Sequence, residues 1–419
     1  MSDNRTSNKT LAKAVTVFGG AQAFSVLAAL VRVKFAATYI GAMGVGLTAL
    51  YTTLSNLVAT LMGCGLSSSS VPMLCQSEGE AQRQAIGRLR LIGYVLALVS
   101  VPVTLAVSAF YDAEAVWLAL PVATLVPAGI EMAVMKSLKA TRSLTASLIL
   151  SAVCSVIFTV PFYILLGIKG AIWAVATTTT LSSLCTCWLG YRVCDVRPDW
   201  RQLNAGLWVQ GRQMFVLGVA FLASGLMAQG VDLLNQMWLQ SVAALTVVGL
   251  YKAGYQLSVT YTGMIFTAIA NDFFPRLASI ASDVAARNRL IVQQIRVLLM
   301  IVVPLIAVFV VIAPWLVPLL FSQEFLPIVP MIRIAALSVI VKAVYLPVGY
   351  LPVALGRSAH FLLLETVSWL MLALGVLLGY HCGGLTGVGC GLLFANVVDL
   401  LFVLSFCHRA YGFKLRAKS

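Results

Sequence analysis

Nine ionisable side chains lie inside long apolar stretches of this 419-residue sequence: the bases Arg32, Lys34, Lys252, Arg333 and Lys342, and the acids Glu131, Asp232, Glu365 and Asp399. A charge in hydrocarbon costs at least about 2.5 kcal/mol unless it is paired, hydrated or able to snorkel, so each is a candidate functional position. Embedded guanidinium and ammonium groups suit the binding of an anionic substrate. Embedded carboxylates suit the loading and release of a proton or cation, or the closing of a gate. Catalysis finds no constellation here. His360 and His408 fall near one set of helix ends and His381 in a turn on the opposite side, without metal-ligand spacing, and no phosphate-cradling Walker loop occurs. The chain is expected to hold no metal and no cofactor, and to be no enzyme.

The elements that must position these groups are membrane-crossing helices. Apolar residues make up 60% of the chain and charged residues 10%, with a mean hydropathy of +0.96. Soluble proteins carry about 25% charge. The recurring apolar runs reach the roughly 20 residues a helix needs to cross, unlike the short alternating segments of an outer-membrane barrel. Counting runs between charged or Gly/Pro-rich breaks predicts twelve spans, at about 14–40, 46–74, 88–111, 115–138, 144–166, 170–191, 213–240, 246–272, 292–320, 327–354, 358–380 and 385–408. Ala21-Gln22-Ala23 resembles a signal-peptide cleavage site, but the apolar pattern runs on through it, which predicts an uncleaved first helix. Nine Cys is an odd count, and Cys64, Cys154, Cys185, Cys187, Cys390 and Cys407 lie in apolar runs, where they read as small hydrophobes.

Lys and Arg gather in the N-terminal tail, in the breaks after even-numbered spans and in the C-terminal tail; the exceptions are Lys169 and the five embedded bases. This bias predicts cytoplasmic termini and explains most of the net charge of +14 without nucleic acid. At 1.5 Å of rise per residue, Arg32, Lys34, Asp232, Lys252 and Arg333 then fall within about 12 Å of the external surface, and Lys342, Glu365 and Asp399 about 12–18 Å from the cytoplasmic one. Arg32 and Lys34 are two apart, about 200° around a helix, so they divide between two environments. Arg333 and Lys342, nine apart, must also face different neighbours. Lys342 with Glu365 and Asp399 is either a proton or cation site or a static charge cluster. Asp232 is either an external gate or a fixed partner of Lys252 or Arg32.

The sequence also repeats. Gly46-Leu47 recurs as Gly249-Leu250, Pro72 as Pro275 and Leu74 as Leu277, all at one offset; Arg142-Ser143 recurs as Arg357-Ser358, and Gly167-x-x-Gly170 as Gly384-x-x-Gly387. The expected fold is therefore all-α, with two six-helix lobes, 1–191 and 213–419, joined by a cytoplasmic linker at 192–212. An even number of helices per repeat relates the lobes by a pseudo-two-fold along the membrane normal. Such lobes suit transport by alternating access. Thr177 to Thr180 with Ser182 and Ser183 line a polar lumen or form a small-residue helix contact.

Gly41-Ala42-Met43-Gly44-Val45-Gly46-Leu47 after Val31-Arg32-Val33-Lys34, then Val248-Gly249-Leu250-Tyr251, Leu320-Phe321-Ser322-Gln323-Glu324-Phe325 and Leu355-Gly356-Arg357, resemble bacterial lipid-linked oligosaccharide flippases, the O-antigen translocase group of the MATE-like superfamily. The resemblance runs from about Leu11 to Phe406. It implies a flippase of the bacterial inner membrane that moves an undecaprenyl-pyrophosphate-linked sugar repeat for O-antigen, lipopolysaccharide or other polysaccharide assembly. It also implies a cationic central cavity, drawing on Arg32, Lys34, Lys252, Arg333 and Lys342, and H+ or Na+ as a possible coupling ion through Glu131, Asp232, Glu365 or Asp399. The polysaccharide polymerase and chain-length machinery would be its partners, with membrane lipids around it. The alternative implied by the same fold is a cation-coupled multidrug or metabolite antiporter. Such exporters usually carry a coupling acid in the first lobe, where this chain embeds only Glu131. A lipid II flippase commonly has helices beyond twelve.

Overall fold

Proline and glycine set where these helices bend and stop. The computed structural model describes residues 2–111, 113–198, 205–260, 262, 263, 266, 273, 274, 276–281 and 283–414. Helices α1 (Ser2–Tyr39) and α2 (Gly41–Gly63) come first. After Cys64 and Gly65, both left-handed, follow α3 (Leu66–Gln76) and α4 (Gly79–Tyr111). Helices α5 (Ala119–Ser137), α6 (Thr141–Leu166) and α7 (Gly170–Val193) complete the first repeat. The second begins with α8 (Ala205–Val242) and α9 (Leu245–Tyr255), the latter running into a π-helical turn at Gln256–Thr260. It continues through α10 (Val284–Leu320), α11 (Val329–Gly349), the short α12 (Leu351–Ala354) and α13 (Ser358–Tyr411).

Among the described residues, 8 helical runs are long and apolar enough to cross a membrane. One of them, Thr141–Val193, holds both α6 and α7. Another, α13, bends out of helical geometry at Gly383 and Gly384 and so serves as two spans. With α8 and α9 these elements follow the twelve-span pattern. The chain is an all-α, multi-pass membrane protein. Its apolar outer surface, with Leu165, Met300 and Leu319 among the most exposed side chains, suits a hydrocarbon solvent.

Two of the expected boundaries differ. The span expected at 46–74 starts at Gly41 and breaks at Cys64–Gly65, so the Gly-rich stretch 41–47 is the first turns of a helix. The linker expected at 192–212 is partly helix: α7 runs to Val193 and α8 begins at Ala205, extending the spans into the polar interface.

Internal contacts divide the residues into two units, Met1–Ile40 with Leu47–Gln229, and Gly41–Gly46 with Gly230–Ser419. This division is shifted from the boundaries expected at 191 and 213, for reasons of close packing. The early part of α8 stays with the first unit because Gly218 lies against the Cys64 carbonyl and Gly225 against Thr60. The first turns of α2 go with the second unit because Gly46 lies against the Leu245 carbonyl and Gly249 against that of Ala42; a Cβ at either glycine would collide with backbone.

Within the first unit α5 packs against α3, α4 and α7, and α6 lies between α1 and α7. A core of Leu66, Leu74, Ile86, Leu89, Ile130 and Val134 closes one end of it. In the second unit α11 packs between α10 and α13, around Phe266, Leu298, Val302, Ala336 and Val339.

The repeat has matching local geometry in the two units. Gly167 ends α6 at φ 56°, ψ −135°, and Gly384 bends α13 at φ 58°, ψ −143°. Only glycine adopts that region without strain. Gly170 then abuts the carbonyl of Phe162, and Gly387 that of Gly379, eight residues earlier in each case. The same hairpin is thus built twice. The landmark Pro275 lies outside the described residues.

Candidate functional site

In the first unit, Glu131 on α5 is fully engaged. Arg90 on α4 donates from Nε to its Oε1 and from Nη2 to its Oε2, both at 2.6 Å. The two side chains are 1% and 2% exposed. Arg90 also donates from Nη1 to the carbonyls of Cys194 at 2.8 Å and Val196 at 2.6 Å, and its guanidinium lies 3.9 Å over the Tyr191 ring. Those carbonyls belong to the end of α7 and the segment after it, where helix C-termini leave acceptors unsatisfied and favour a cation. The group therefore ties α4, α5 and the end of α7 together as a static lock.

Beside it, α1, α5, α6 and α7 enclose a cavity of about 520 Å³. Arg32 lines it, with hydroxyls from Ser151, Thr178, Thr179, Ser182 and Ser183 among others. The Thr177–Thr180 run and its neighbouring serines are thus in part a cavity wall. Several of the hydroxyls are committed: Thr178 pairs with Thr159 at 2.8 Å, and Ser147, Ser155 and Thr186 bond to carbonyls three or four residues back. Arg32 is half-buried. It acts electrostatically on Tyr163, but among the described residues its guanidinium makes no hydrogen bond and no ion pair. No carboxylate lines this cavity among the described residues. Lys34 does not line this cavity and has interactions of its own.

In the second unit, Lys252 and Asp232 form a bidentate pair at 2.9 and 2.7 Å. Arg333 has a different use. Its Nε donates to the Val310 carbonyl on α10 at 2.9 Å. Four residues on is Pro314, which has no N–H to offer that carbonyl. Arg333 therefore fills the gap a proline leaves in the α10 ladder. Lys342 faces α13 instead, where Glu365 and Asp399 both attract its charge. Asp399 is 4% exposed; it takes a hydrogen bond from Ser368, and its Oδ1 is buried without a hydrogen-bond partner among the described residues. Trp369 Nε1 donates to Glu365 at 3.1 Å, and Tyr345 donates to Asn396 at 2.9 Å nearby. The three ionisable groups expected on three spans do come together, two acids to one base.

Two features escaped sequence reasoning. Arg90 and Arg287 count in the sequence as ordinary cytoplasmic bases, yet both are buried. Arg287 does for the second unit what Arg90 does for the first: it donates to the carbonyl of Tyr411 at the end of α13 and to that of Ala281. Both belong to the basic run at or just before the third predicted span of each repeat, Arg90 inside α4 and Arg287 in the first turn of α10. Glu324 escaped too. Its Oε2 accepts from the Ala42 N–H at 3.1 Å, capping the N-terminus of α2, and it lies against Gly41, whose φ is 64°. The short motifs Gly41–Gly46, Val248–Tyr251 and Leu320–Phe325 thus meet at one junction within the second unit.

Among the described residues no group of His, Cys, Asp and Glu could hold a metal ion. Residues 43–330 match the family described as polysaccharide biosynthesis protein. Among curated proteins none matches. Solved structures share the fold. An inward-facing multidrug resistance MATE family transporter of the MOP superfamily aligns with a TM-score of 0.75 at 13% identity, covering 94% of this chain and 96% of that one. The lipid II flippase MurJ, inward closed, aligns at 0.72 and 13%, covering 93% and 87%. A MOP superfamily transporter from Pyrococcus furiosus, described as having a binding pocket of reverse polarity, aligns at 0.67 and 13%, covering 94% and 93%.

Proposed function

This chain belongs to the polysaccharide biosynthesis protein family, and from that premise we propose that it is a flippase. Its cargo is an undecaprenyl-pyrophosphate-linked oligosaccharide repeat, carried from the cytoplasmic to the outer leaflet of the bacterial inner membrane for O-antigen, capsule or exopolysaccharide assembly. The observation that carries this reading is Arg32, an embedded guanidinium with no hydrogen bond or ion pair among the described residues, in a hydroxyl-lined cavity with no carboxylate among the described residues. A diphosphate leaving water needs a cation that is not already neutralised, in a site of low dielectric where the attraction is strong. A cationic drug would meet repulsion there. The first-lobe acid that would favour a cation-coupled antiporter, Glu131, is consumed by Arg90.

The remaining embedded charges take supporting parts. Lys34 adds positive potential beside Arg32 on α1. The Lys252–Asp232 pair is a candidate gate, since a bidentate ion pair opens when a competing anion reaches the lysine. Arg333 keeps α10 intact at Pro314 and reaches the substrate only with its remaining N–H groups. The Lys342, Glu365 and Asp399 cluster is the coupling candidate: a buried group of two acids to one base takes up H+ or Na+ at low cost and releases it when hydration changes. No bond in the cargo is made or broken. Both termini are cytoplasmic, and the polymerase and chain-length machinery receive the product outside.

The test is deletion of the gene with leaflet-resolved analysis of lipid-linked intermediates and of surface polysaccharide. Undecaprenyl-linked repeats accumulate in the cytoplasmic leaflet and polymer is lost, and Arg32→Ala fails to restore either. Normal polymer, with altered sensitivity to cationic drugs, overturns the reading in favour of an antiporter.

A further inference from the structure

A second cavity of about 430 Å³ lies in the first unit, lined by α2, α3, α5 and α8. Its size is within the roughly 300–1,000 Å³ usual for small-ligand sites. The polar side chains on its wall are Asn56, Thr60, Ser67, Ser68 and Gln229, and none of the lining residues is charged. The Phe221 ring, 52% exposed, forms one side of it.

Many hydroxyls elsewhere in this unit turn back on their own helix, and others, such as Thr159 with Thr178, pair across helices. Ser55 bonds to the Tyr51 carbonyl, Ser70 to Leu66, Ser100 to Ala97 and Thr104 to Ser100. That is how a membrane helix satisfies a polar side chain without water. The five side chains on this cavity wall do otherwise: among the described residues none makes a side-chain hydrogen bond. Two amides and three hydroxyls left open toward one space inside a membrane-spanning unit are prepared for a ligand with many hydroxyls.

We propose that this cavity is a subsite for an uncharged pyranose ring of the transported oligosaccharide, a proposal that rests on the flippase reading above. Asn and Gln amides each offer a donor and an acceptor, which matches the donor and acceptor character of adjacent sugar hydroxyls. An aromatic ring covers the apolar C–H face of a pyranose. The absence of charge on the wall favours a neutral sugar over a uronic acid. This cavity and that of Arg32 share Leu125 and Gly129 of α5, so one ligand with an anionic and an uncharged part reaches both.

The test uses the full chain in nanodiscs and two probes, undecaprenyl diphosphate bearing a single uncharged hexose and undecaprenyl diphosphate without sugar, with binding followed by native mass spectrometry. Asn56→Ala, Gln229→Ala and Phe221→Ala each weaken the hexose-bearing lipid about 3- to 10-fold, as loss of one neutral contact should, and leave the sugar-free lipid within about 2-fold. Phe221→Tyr, which keeps the ring and guards against a folding defect, binds as wild type. Equal losses for both lipids, or none, overturn the subsite while the flippase reading stands. If the wild type holds neither lipid, the flippase reading fails, and the subsite is judged on free hexose alone through the fluorescence of Phe221→Trp. A saturable sugar-dependent change supports it, and no change overturns it.

Discussion

Glu131 is predicted to be a structural residue, and the prediction can be worked from its surroundings. Both its oxygens take hydrogen bonds from Arg90 at 2.6 Å, and both partners are almost wholly buried. Removing one member of such a pair strands the other charge, at about 3–5 kcal/mol. Glu131→Ala should therefore lose about that much. Arg90→Ala should fall at the upper end, because the Cys194 and Val196 carbonyls lose their donor as well. The double variant should lose less than the sum of the two, with a coupling of about 2–3 kcal/mol. The assay is SDS-driven unfolding of the purified protein in mixed micelles, with transport measured on the folded fraction under several ion gradients. A Glu131→Ala loss below about 1 kcal/mol, or additivity within about 0.5 kcal/mol, would refute the lock. So would a stable Glu131→Gln protein whose ion dependence had changed, because that is how a coupling residue behaves.

Arg333→Ala leaves the Val310 carbonyl without a donor and should cost about 1–3 kcal/mol in the same assay; Pro314→Ala in that background, by restoring an N–H to α10, should recover most of it. Gly249→Ala places a Cβ on the Ala42 carbonyl and should abolish the monodisperse peak in fluorescence-detected size-exclusion chromatography, whereas Gly230→Ala, which meets nothing, should leave it intact. Glu324→Ala removes the cap on α2 and should lower unfolding stability by about 0.5–2 kcal/mol. Asp399→Asn, by removing the titratable partner of Lys342 and Glu365, should abolish the dependence of transport on a H+ or Na+ gradient in proteoliposomes while the lipid-linked substrate still binds.

Much of this was legible in the residues, and the limits have physical causes. Run length and the Lys/Arg bias depend on the bilayer, a uniform constraint, so the spans can be read without neighbours. The repeated Gly167 and Gly384 were legible because one backbone conformation demands glycine at both. Lys342, Glu365 and Asp399 could be placed at one depth by rise per residue, and helical angle separated Lys342 from Arg333. Periodicity gives the direction a side chain leaves its helix but not which helix lies there. Hence Arg333 read as a substrate ligand, although it serves the Val310 carbonyl, and Arg90 read as a loop charge, although it is the partner of Glu131. The uncharged wall of Asn56, Thr60 and Gln229 left no trace, because Ser, Thr and Asn are common in membrane helices and only the geometry distinguishes those that bond to their own backbone from those that do not.

The central claim is that Arg32, which makes no ion pair among the described residues, serves the anionic headgroup of a lipid-linked oligosaccharide. The most direct measurement is flipping of fluorescently labelled undecaprenyl diphosphate oligosaccharide in proteoliposomes reconstituted with the purified protein, wild type against Arg32→Ala and Arg32→Lys. The account predicts protein-dependent flipping by the wild type, reduced at least about 10-fold in Arg32→Ala and partly kept in Arg32→Lys, which retains the charge but not the planar fork. Flipping by Arg32→Ala equal to wild type would contradict the role of Arg32, and a wild type that leaves the lipid in its original leaflet would contradict the function.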